Sequence, residues 1–151
     1  MGVICLSILS VYTAFQKKML AVDSIMRSSH LHSFSDNLKA LYSAGLALFK
    51  EDSRLYRLGE DFATMQQPIM GEFMEKYKPE TVDIYMKLLT QAMADDELRP
   101  NLDISLATSF ITAIVNQTTM LQMKHQCDNA RTENITREML TFIEHAVLKS
   151  E

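Results

Sequence analysis

Few residues in this chain interrupt helices. Its 151 residues include only 4 glycines, 3 prolines and no tryptophan, against 11 methionines. Glycine and proline usually punctuate strands and turns, whereas methionine costs little in a helix. The composition therefore predicts an all-α protein, and the hydrophobic content of 47% is typical of one compact soluble domain with its own core.

Cysteine and positive charge are also scarce. The two cysteines, Cys5 and Cys127, are too few and too far apart to indicate a disulfide framework, which favours a reducing cytoplasmic location. The net charge of −4 gives no long-range attraction for a phosphate backbone. We therefore expect no nucleic-acid surface formed by these residues alone.

The apolar opening, residues 1–15, lacks the features of a leader or an anchor. No basic residue precedes it, the apolar run is too short to span a bilayer, and Lys17 and Lys18 stand where a small-residue cleavage site would be. The sequence predicts no membrane partner.

No catalytic motif is present. The sequence contains no G-x-S-x-G, no glycine-rich phosphate loop and no H-E-x-x-H, so we predict that the chain is not an enzyme and holds no cofactor. His30, His32, His125 and Cys127 would offer four zinc ligands if their two loops met. Paired histidines at helix ends more often contact the last carbonyls, and we therefore predict no metal site.

The spacing of apolar residues predicts six or seven helices joined by short loops, an irregular helical bundle. Ser33 or Ser35 caps the second helix, and Asp103 caps the penultimate one. Pro68 is expected to bend the helix that contains it. The last helix is predicted from about Thr132 to Lys149.

Methionine and aromatic residues form stripes in the central part of the chain. Methionine repacks easily around different guests, so such stripes could line an adaptable apolar cavity. They could equally be an ordinary core rich in methionine, and composition alone favours that interpretation. Both interpretations remain open from the residues themselves.

Several local patterns resemble the tetracycline-repressor (TetR) family of transcription regulators. Tyr12, Phe15 and Lys18 match the Y-x-x-F-x-x-K spacing that ends the DNA-binding unit of that family. The stretch LALFKEDSRLYRL resembles the end of its fifth helix. Asp103 and Ala107 fit the D-x-x-x-A that opens its penultimate helix, although the preceding loop here has no glycine.

The resemblance implies two parts. Residues 1–18 would be the remnant of the DNA-binding helix-turn-helix, with Tyr12, Phe15 and Lys18 at its end, and residues 19–151 the ligand-binding and dimerisation domain. We expect the chain to begin inside the DNA-reading unit, as a fragment or a truncated product. DNA would then be a partner only if the missing N-terminal helices are present in the native protein.

The function that the resemblance implies is that of a repressor domain. It would form a homodimer and bind a small, mostly apolar effector that allosterically controls the release of DNA. The alternative is a stand-alone dimerisation module without a DNA-reading head, which modulates a full-length regulator by forming heterodimers. If mixing the chain with such a regulator gives no exchange of subunits, this alternative is removed.

Two sets of residues are predicted to carry these functions. The residues expected to line the effector pocket are Met65, Met70, Phe73, Met74, Tyr77, Tyr85, Met86, Met93 and Phe110. The residues expected to form the dimer interface are Phe110, Ile111, Ile114, Val115, Leu121, Met139, Phe142, Ile143 and Val147. The second set belongs to the last two helices, whose apolar stripes are wider than a thin monomeric bundle needs.

Overall fold

The computed structural model describes residues 13, 16–17, 19–51, 84–125 and 128–151 of the chain, and these residues are helical with short connections. The helices are α1 (19–27), α2 (Phe34–Glu51), α3 (84–94), α4 (Ile104–Lys124) and α5 (Asn129–Val147), with a 3-10 turn at Ser29–Leu31 between α1 and α2. The predicted all-α class is confirmed for these residues. The predicted bend at Pro68 lies outside them.

Short polar side chains set the starts of three helices. The Ser33 hydroxyl accepts a hydrogen bond from the Asp36 amide at 3.2 Å at the start of α2. Asp103 accepts from the Leu106 amide at 2.9 Å, and Asp128 accepts from the Arg131 amide at 2.8 Å. Each cap satisfies an amide that has no partner inside its helix. The Asp128 cap places the start of α5 three residues before the predicted position.

The end of α3 is fixed by a tight backbone turn. Asp96 has a φ of 61°, in the left-handed region. The Asp96 amide donates to the Met93 carbonyl at 3.1 Å and the Glu97 amide to the Ala92 carbonyl at 2.9 Å. This pair of bonds is the Schellman arrangement that closes a helix. It turns the chain directly into the connection to α4.

A backbone pairing joins the α3–α4 connection to the end of the chain. Leu98 and Leu148 form an antiparallel bridge, in which the Arg99 amide donates to the Val147 carbonyl at 2.9 Å and the Lys149 amide to the Glu97 carbonyl at 3.0 Å. Glu97 also accepts from the Phe34 amide at 3.1 Å. The start of α2, the chain segment that follows α3 and the end of α5 are therefore held together.

One apolar core runs between the helices. Its members are Val22, Phe34, Leu38, Leu41, Tyr42, Leu46, Ile84, Leu88, Leu89, Ala92, Leu98, Leu102, Ala107, Ile111, Val115, Met139, Leu140, Ile143 and Val147. The apolar spacing predicts Val82, Tyr85, Met86, Leu89 and Met93 as the inner face of α3; Val82 lies outside the described residues, and Leu89 is buried as predicted. Met93 is 47% exposed instead, because Ile84, Leu88 and Ala92 are the residues that face the core beside Leu89.

Candidate functional site

Helix α4 has apolar side chains on both of its sides. One side, with Ala107, Ile111 and Val115, is buried in the core. On the other side Leu106 is 52% and Phe110 59% exposed. A helix in contact with water normally carries polar side chains opposite its core stripe. The outer side of α4 instead mixes large exposed apolar side chains with uncharged polar ones such as Asn116 and Gln117, which gives it the character of a surface that a partner covers.

Five large apolar side chains of the two packed helices α4 and α5 are exposed, and we call these residues together the α4–α5 face. The face consists of Leu106, Phe110, Met120, Leu121 and Phe142. The four α4 members recur at helical spacing and so lie along one stripe. Phe142, on α5, is 65% exposed, the largest value among the face residues. Several large apolar side chains exposed on neighbouring helices commonly mark an interaction site.

A small apolar groove opens beside this face, with a volume of about 110 Å³. Its lining is Arg99, Leu102, Asp103, Leu106, Ala107, Phe110, Ile111, Ile114, Ile143, Ala146 and Val147. Arg99 is anchored by its Nε, which donates to the Ala146 carbonyl at 2.8 Å. The groove has the size of a side-chain recess, well below the volumes of ligand pockets.

Charge is absent from α4 between Ile104 and Met123. Its hydroxyls are turned inward to the helix: Thr112 Oγ1 donates to the Thr108 carbonyl at 2.8 Å and Thr118 Oγ1 to the Ile114 carbonyl at 2.8 Å. A hydroxyl bonded in this way needs no water. The hydrogen bonds therefore lower the cost of covering the helix.

The residues predicted for the dimer interface divide into two groups. The side chains covered within the chain itself are Ile111, Val115, Met139, Ile143 and Val147. Phe110, Leu121 and Phe142 are exposed and Ile114 is half-buried. Leu106 and Met120 are exposed beside them, although the sequence pattern did not single them out. The uncharged run of α4 was the signal that could have identified them.

The residues predicted for the effector pocket are only partly described. Met65, Met70, Phe73, Met74 and Tyr77 lie outside the residues that the structure describes. The others are divided by exposure: Tyr85 and Met86 are half-buried on α3, whereas Met93 and Phe110 are exposed. Phe110, which is predicted for the dimer interface as well as for the pocket, lies on the α4–α5 face.

A buried amide links three helices in the interior. Gln122 of α4, 3% exposed, donates through Nε2 to the Thr132 carbonyl and to Thr136 Oγ1 of α5, both at 3.0 Å. Its Oε1 accepts a short hydrogen bond from the Tyr42 hydroxyl of α2. Each polar atom of the amide therefore has a partner, as buried polar groups require.

Two tyrosines belong to the packing of the core: Tyr42 is buried in it, and Tyr85 packs against it. Burial raises the pKa of Tyr85 to about 12, and the nearby Tyr42 phenol contributes to the same shift. Burial also raises the pKa of Tyr42, and a hydrogen bond with Thr119 partly offsets that effect. Both phenols therefore stay protonated at neutral pH and are available as hydrogen-bond donors.

A second polar cluster fixes the connection between α1 and α2. Ser29 Oγ donates to Gln91 Oε1 at 2.9 Å, and Gln91 Nε2 returns a bond to the Ser29 carbonyl at 2.9 Å. Asn37 Nδ2 donates to the same carbonyl at 2.9 Å. This cluster ties the end of α1 to α3, the helix of the predicted pocket residues Tyr85 and Met86.

An open groove of about 760 Å³ lies between α2 and α5. Its charged lining residues are Asp36, Lys39, Lys50, Glu133, Arg137 and Glu144. Positive and negative side chains alternate there, so the groove favours no ligand of a single charge.

The described residues give no metal constellation, since no three histidine, cysteine, aspartate or glutamate side chains come together among them. His30, His32 and His125 are exposed, and Cys127 lies outside the described range. The remnant of the DNA-binding unit predicted at Tyr12, Phe15 and Lys18 also lies outside it.

The chain is similar in structure to the ketosteroid transcriptional regulator KstR2 of Mycobacterium tuberculosis, with 15% sequence identity and a TM-score of 0.56. The match covers 88% of this chain and 66% of that protein, so this chain spans just under two thirds of its neighbour's length. No family model matches the sequence, and no curated protein matches it. The likeness establishes a TetR-like helical fold, which confirms that part of the resemblance seen in the sequence.

Proposed function

We propose that this chain is the effector-binding and dimerisation domain of a TetR-like transcriptional regulator of the cytoplasm. Two copies associate through their α4–α5 faces, and a small, mostly apolar molecule binds in the interior near α3. The proposal is supported by the fold shared with a transcriptional regulator and by the surface of α4. Operator DNA would be contacted by a helix-turn-helix preceding α1.

The observation that carries the proposal is the uncharged outer side of α4. Leu106, Phe110 and Leu121 leave about half of their side-chain surface in water, at 52%, 59% and 44% exposure. Burying them removes apolar area from water at a gain of roughly 25 cal/mol per Å². A two-fold axis beside α4 would pair the same stripe with itself, as an isologous dimer requires.

A second protein surface covers this helix better than a membrane does. Among the described helices, α4 is long and apolar enough to cross a bilayer by length and composition. Its exposed residues nevertheless include Asn116 and Gln117 near the middle of the helix. Amide side chains are costly in hydrocarbon but pair readily across a wet protein interface. The polar groups therefore favour a partner chain.

The dimer can be tested with charges placed on the face. We expect Phe110→Glu combined with Phe142→Glu to convert the dimer to a monomer in sedimentation equilibrium, because each carboxylate would be buried without a partner. The matched control is Leu20→Glu combined with Leu31→Glu, which places the same two charges at apolar residues that are each 70% exposed and outside the face. The control should remain dimeric. Equal dissociation of both proteins would contradict the assignment of the face.

The effector part of the proposal is supported by the interior near α3. Tyr85 and Met86 are half-buried there, and Tyr42 adds a protonated phenol beside them. An apolar wall with a few polar groups is typical of small-molecule pockets. The structural neighbour is a ketosteroid regulator, so a steroid ketone is a suitable first probe.

A further inference from the structure

The amide of Gln122 lies between the two parts of the proposed function. On one side its Oε1 accepts a hydrogen bond from the Tyr42 hydroxyl of α2. On the other it donates to Thr132 and Thr136 at the start of α5. Its neighbour along α4, Leu121, belongs to the exposed α4–α5 face. One side chain therefore contacts the interior and also sets the packing of the two helices that form the face.

The donors of Gln122 and Thr136 are already engaged and do not compensate for a lost bond. Both Nε2 hydrogens of Gln122 are used toward α5, and Thr136 Oγ1 already donates to the Thr132 carbonyl at 2.8 Å. If the Tyr42 hydroxyl turns to another acceptor, Gln122 Oε1 is left buried without this donor. A buried unpaired acceptor is unfavourable, so the amide and the helices it joins must readjust.

Tyr42 is placed where such an exchange can occur. Tyr42 belongs to the buried core, and Tyr85, on the helix that we propose as a wall of the effector pocket, packs against that core. A ligand with a carbonyl or other acceptor oxygen bound beside Tyr42 would compete with Gln122 for the Tyr42 proton. Hydrogen-bond networks in the interior respond as a unit when one member is diverted.

We propose that the Tyr42–Gln122 hydrogen bond couples the interior beside Tyr85 to the α4–α5 face, so that loss of this bond weakens the dimer. The inference rests on the proposed function, since it assumes that the face is the dimer interface. Gln122 acts as a positioning residue for that interface, and Tyr42 is the group through which an acceptor-bearing apolar ligand changes it.

The test compares dimer dissociation constants by sedimentation equilibrium. Tyr42→Phe keeps the ring and removes the hydroxyl, and we expect its dissociation constant to rise by about five- to tenfold, the scale of one buried hydrogen bond. Gln122→Met removes all three bonds and should raise the constant further. Thr136→Val, a milder change in the same cluster, should act in the same direction and serves if Gln122→Met does not fold.

The matched control is Gln91→Met, which removes another side-chain amide that joins two helices. Gln91 bonds to Ser29 and touches neither α4 nor α5 through these bonds. It should lower the free energy of unfolding but leave the dimer dissociation constant within twofold of the wild type. A purely structural role for Tyr42 would give this same pattern in Tyr42→Phe, and that result would overturn the inference.

The outcomes also separate the inference from the function on which it rests. A wild-type chain that is monomeric throughout would remove the proposed dimer, and the coupling with it. A stable wild-type dimer whose dissociation constant does not respond to Tyr42→Phe, Thr136→Val or Gln122→Met would remove the coupling alone.

Discussion

Polar side chains at single buried positions decide how these helices meet. Ser29, Asn37 and Gln122 are 5%, 3% and 3% exposed, and each forms hydrogen bonds to another part of the chain. Such groups are costly unless paired, so their partners must lie at defined positions. They add geometric specificity that an apolar core of similar size lacks.

The raised pKa of Tyr85 predicts a loss of stability in base. The folded state holds the proton up to about pH 12, whereas an unfolded tyrosine releases it near 10.0. The folded state therefore binds more protons in this window, and the free energy of unfolding must fall as pH rises through it. The contribution is fully present below about pH 10, and a shift of this size amounts to about 3 kcal/mol.

Urea unfolding at several pH values between 9 and about 12 measures this contribution. Lysines and the other tyrosines titrate in the same range, so the informative quantity is the difference between the wild type and Tyr85→Phe. The variant should lose less stability over the window because it has no phenol to ionise. Parallel curves for the two proteins would show that burial of Tyr85 does not shift its ionisation.

At the scale of elements, the last two helices depend on their caps. Asp103 and Asp128 each accept a hydrogen bond from an amide in the first turn, at 2.9 and 2.8 Å. We expect Asp103→Ala and Asp128→Ala each to lower the free energy of unfolding by about 1 kcal/mol. Asp103→Asn and Asp128→Asn should retain most of the stability that the caps provide, because the amide oxygen still accepts the hydrogen bond.

Urea unfolding of the four cap variants tests this expectation. The matched surface control is Asp95→Ala, since Asp95 is exposed and its side chain forms no cap bond among the described contacts. The control should change stability by less than about 0.5 kcal/mol. If the alanine variants at 103 and 128 are no less stable than this control, the caps do not stabilise α4 and α5.

Local signals in the sequence made the helices predictable, but they did not predict which face of each helix turns toward the core. Ser33 and Asp103 mark helix starts because capping acts over three residues of sequence. In α3, Ile84, Tyr85 and Met86 are consecutive apolar residues, so hydrophobic periodicity alone does not decide which face turns inward. Packing against the neighbouring helices sets which face of α3 is buried: Ile84 is covered and Met93 is exposed.

The candidate site was predictable to a smaller degree. Apolar stripes predicted α4 and α5 as interface helices, but a one-dimensional pattern does not separate the side that packs on the chain's own core from the side that faces out. The Tyr42–Gln122 bond joins residues 80 positions apart. No periodicity in sequence connects such residues, because only the tertiary packing brings them together.

At the scale of the whole molecule, an interior near α3 and an apolar outer face on α4 and α5 fit a ligand-responsive dimer. A ligand that binds the folded state alone stabilises it, by about 2.7 kcal/mol at one hundred times its dissociation constant. We therefore expect a steroid ketone, the first probe, to raise the thermal unfolding midpoint of the chain.

Two alanine variants on α3 locate the binding. Met86→Ala shortens a half-buried side chain of the predicted pocket, and Lys87→Ala changes its exposed neighbour. The midpoint shift produced by the probe should shrink in Met86→Ala and persist in Lys87→Ala. Equal shifts in both would place the binding away from Met86, and a panel of apolar ketones and alcohols that leaves the wild-type midpoint unchanged would argue against an effector pocket.

The central claim is that the α4–α5 face pairs two copies of this chain, and the mass of the wild-type chain in solution tests it most directly. Sedimentation equilibrium from nanomolar to micromolar concentration should give twice the chain mass of 17.2 kDa at the upper end. Self-association through one isologous face stops at the dimer, so no larger species should accumulate. A mass of 17.2 kDa throughout the micromolar range would contradict the account.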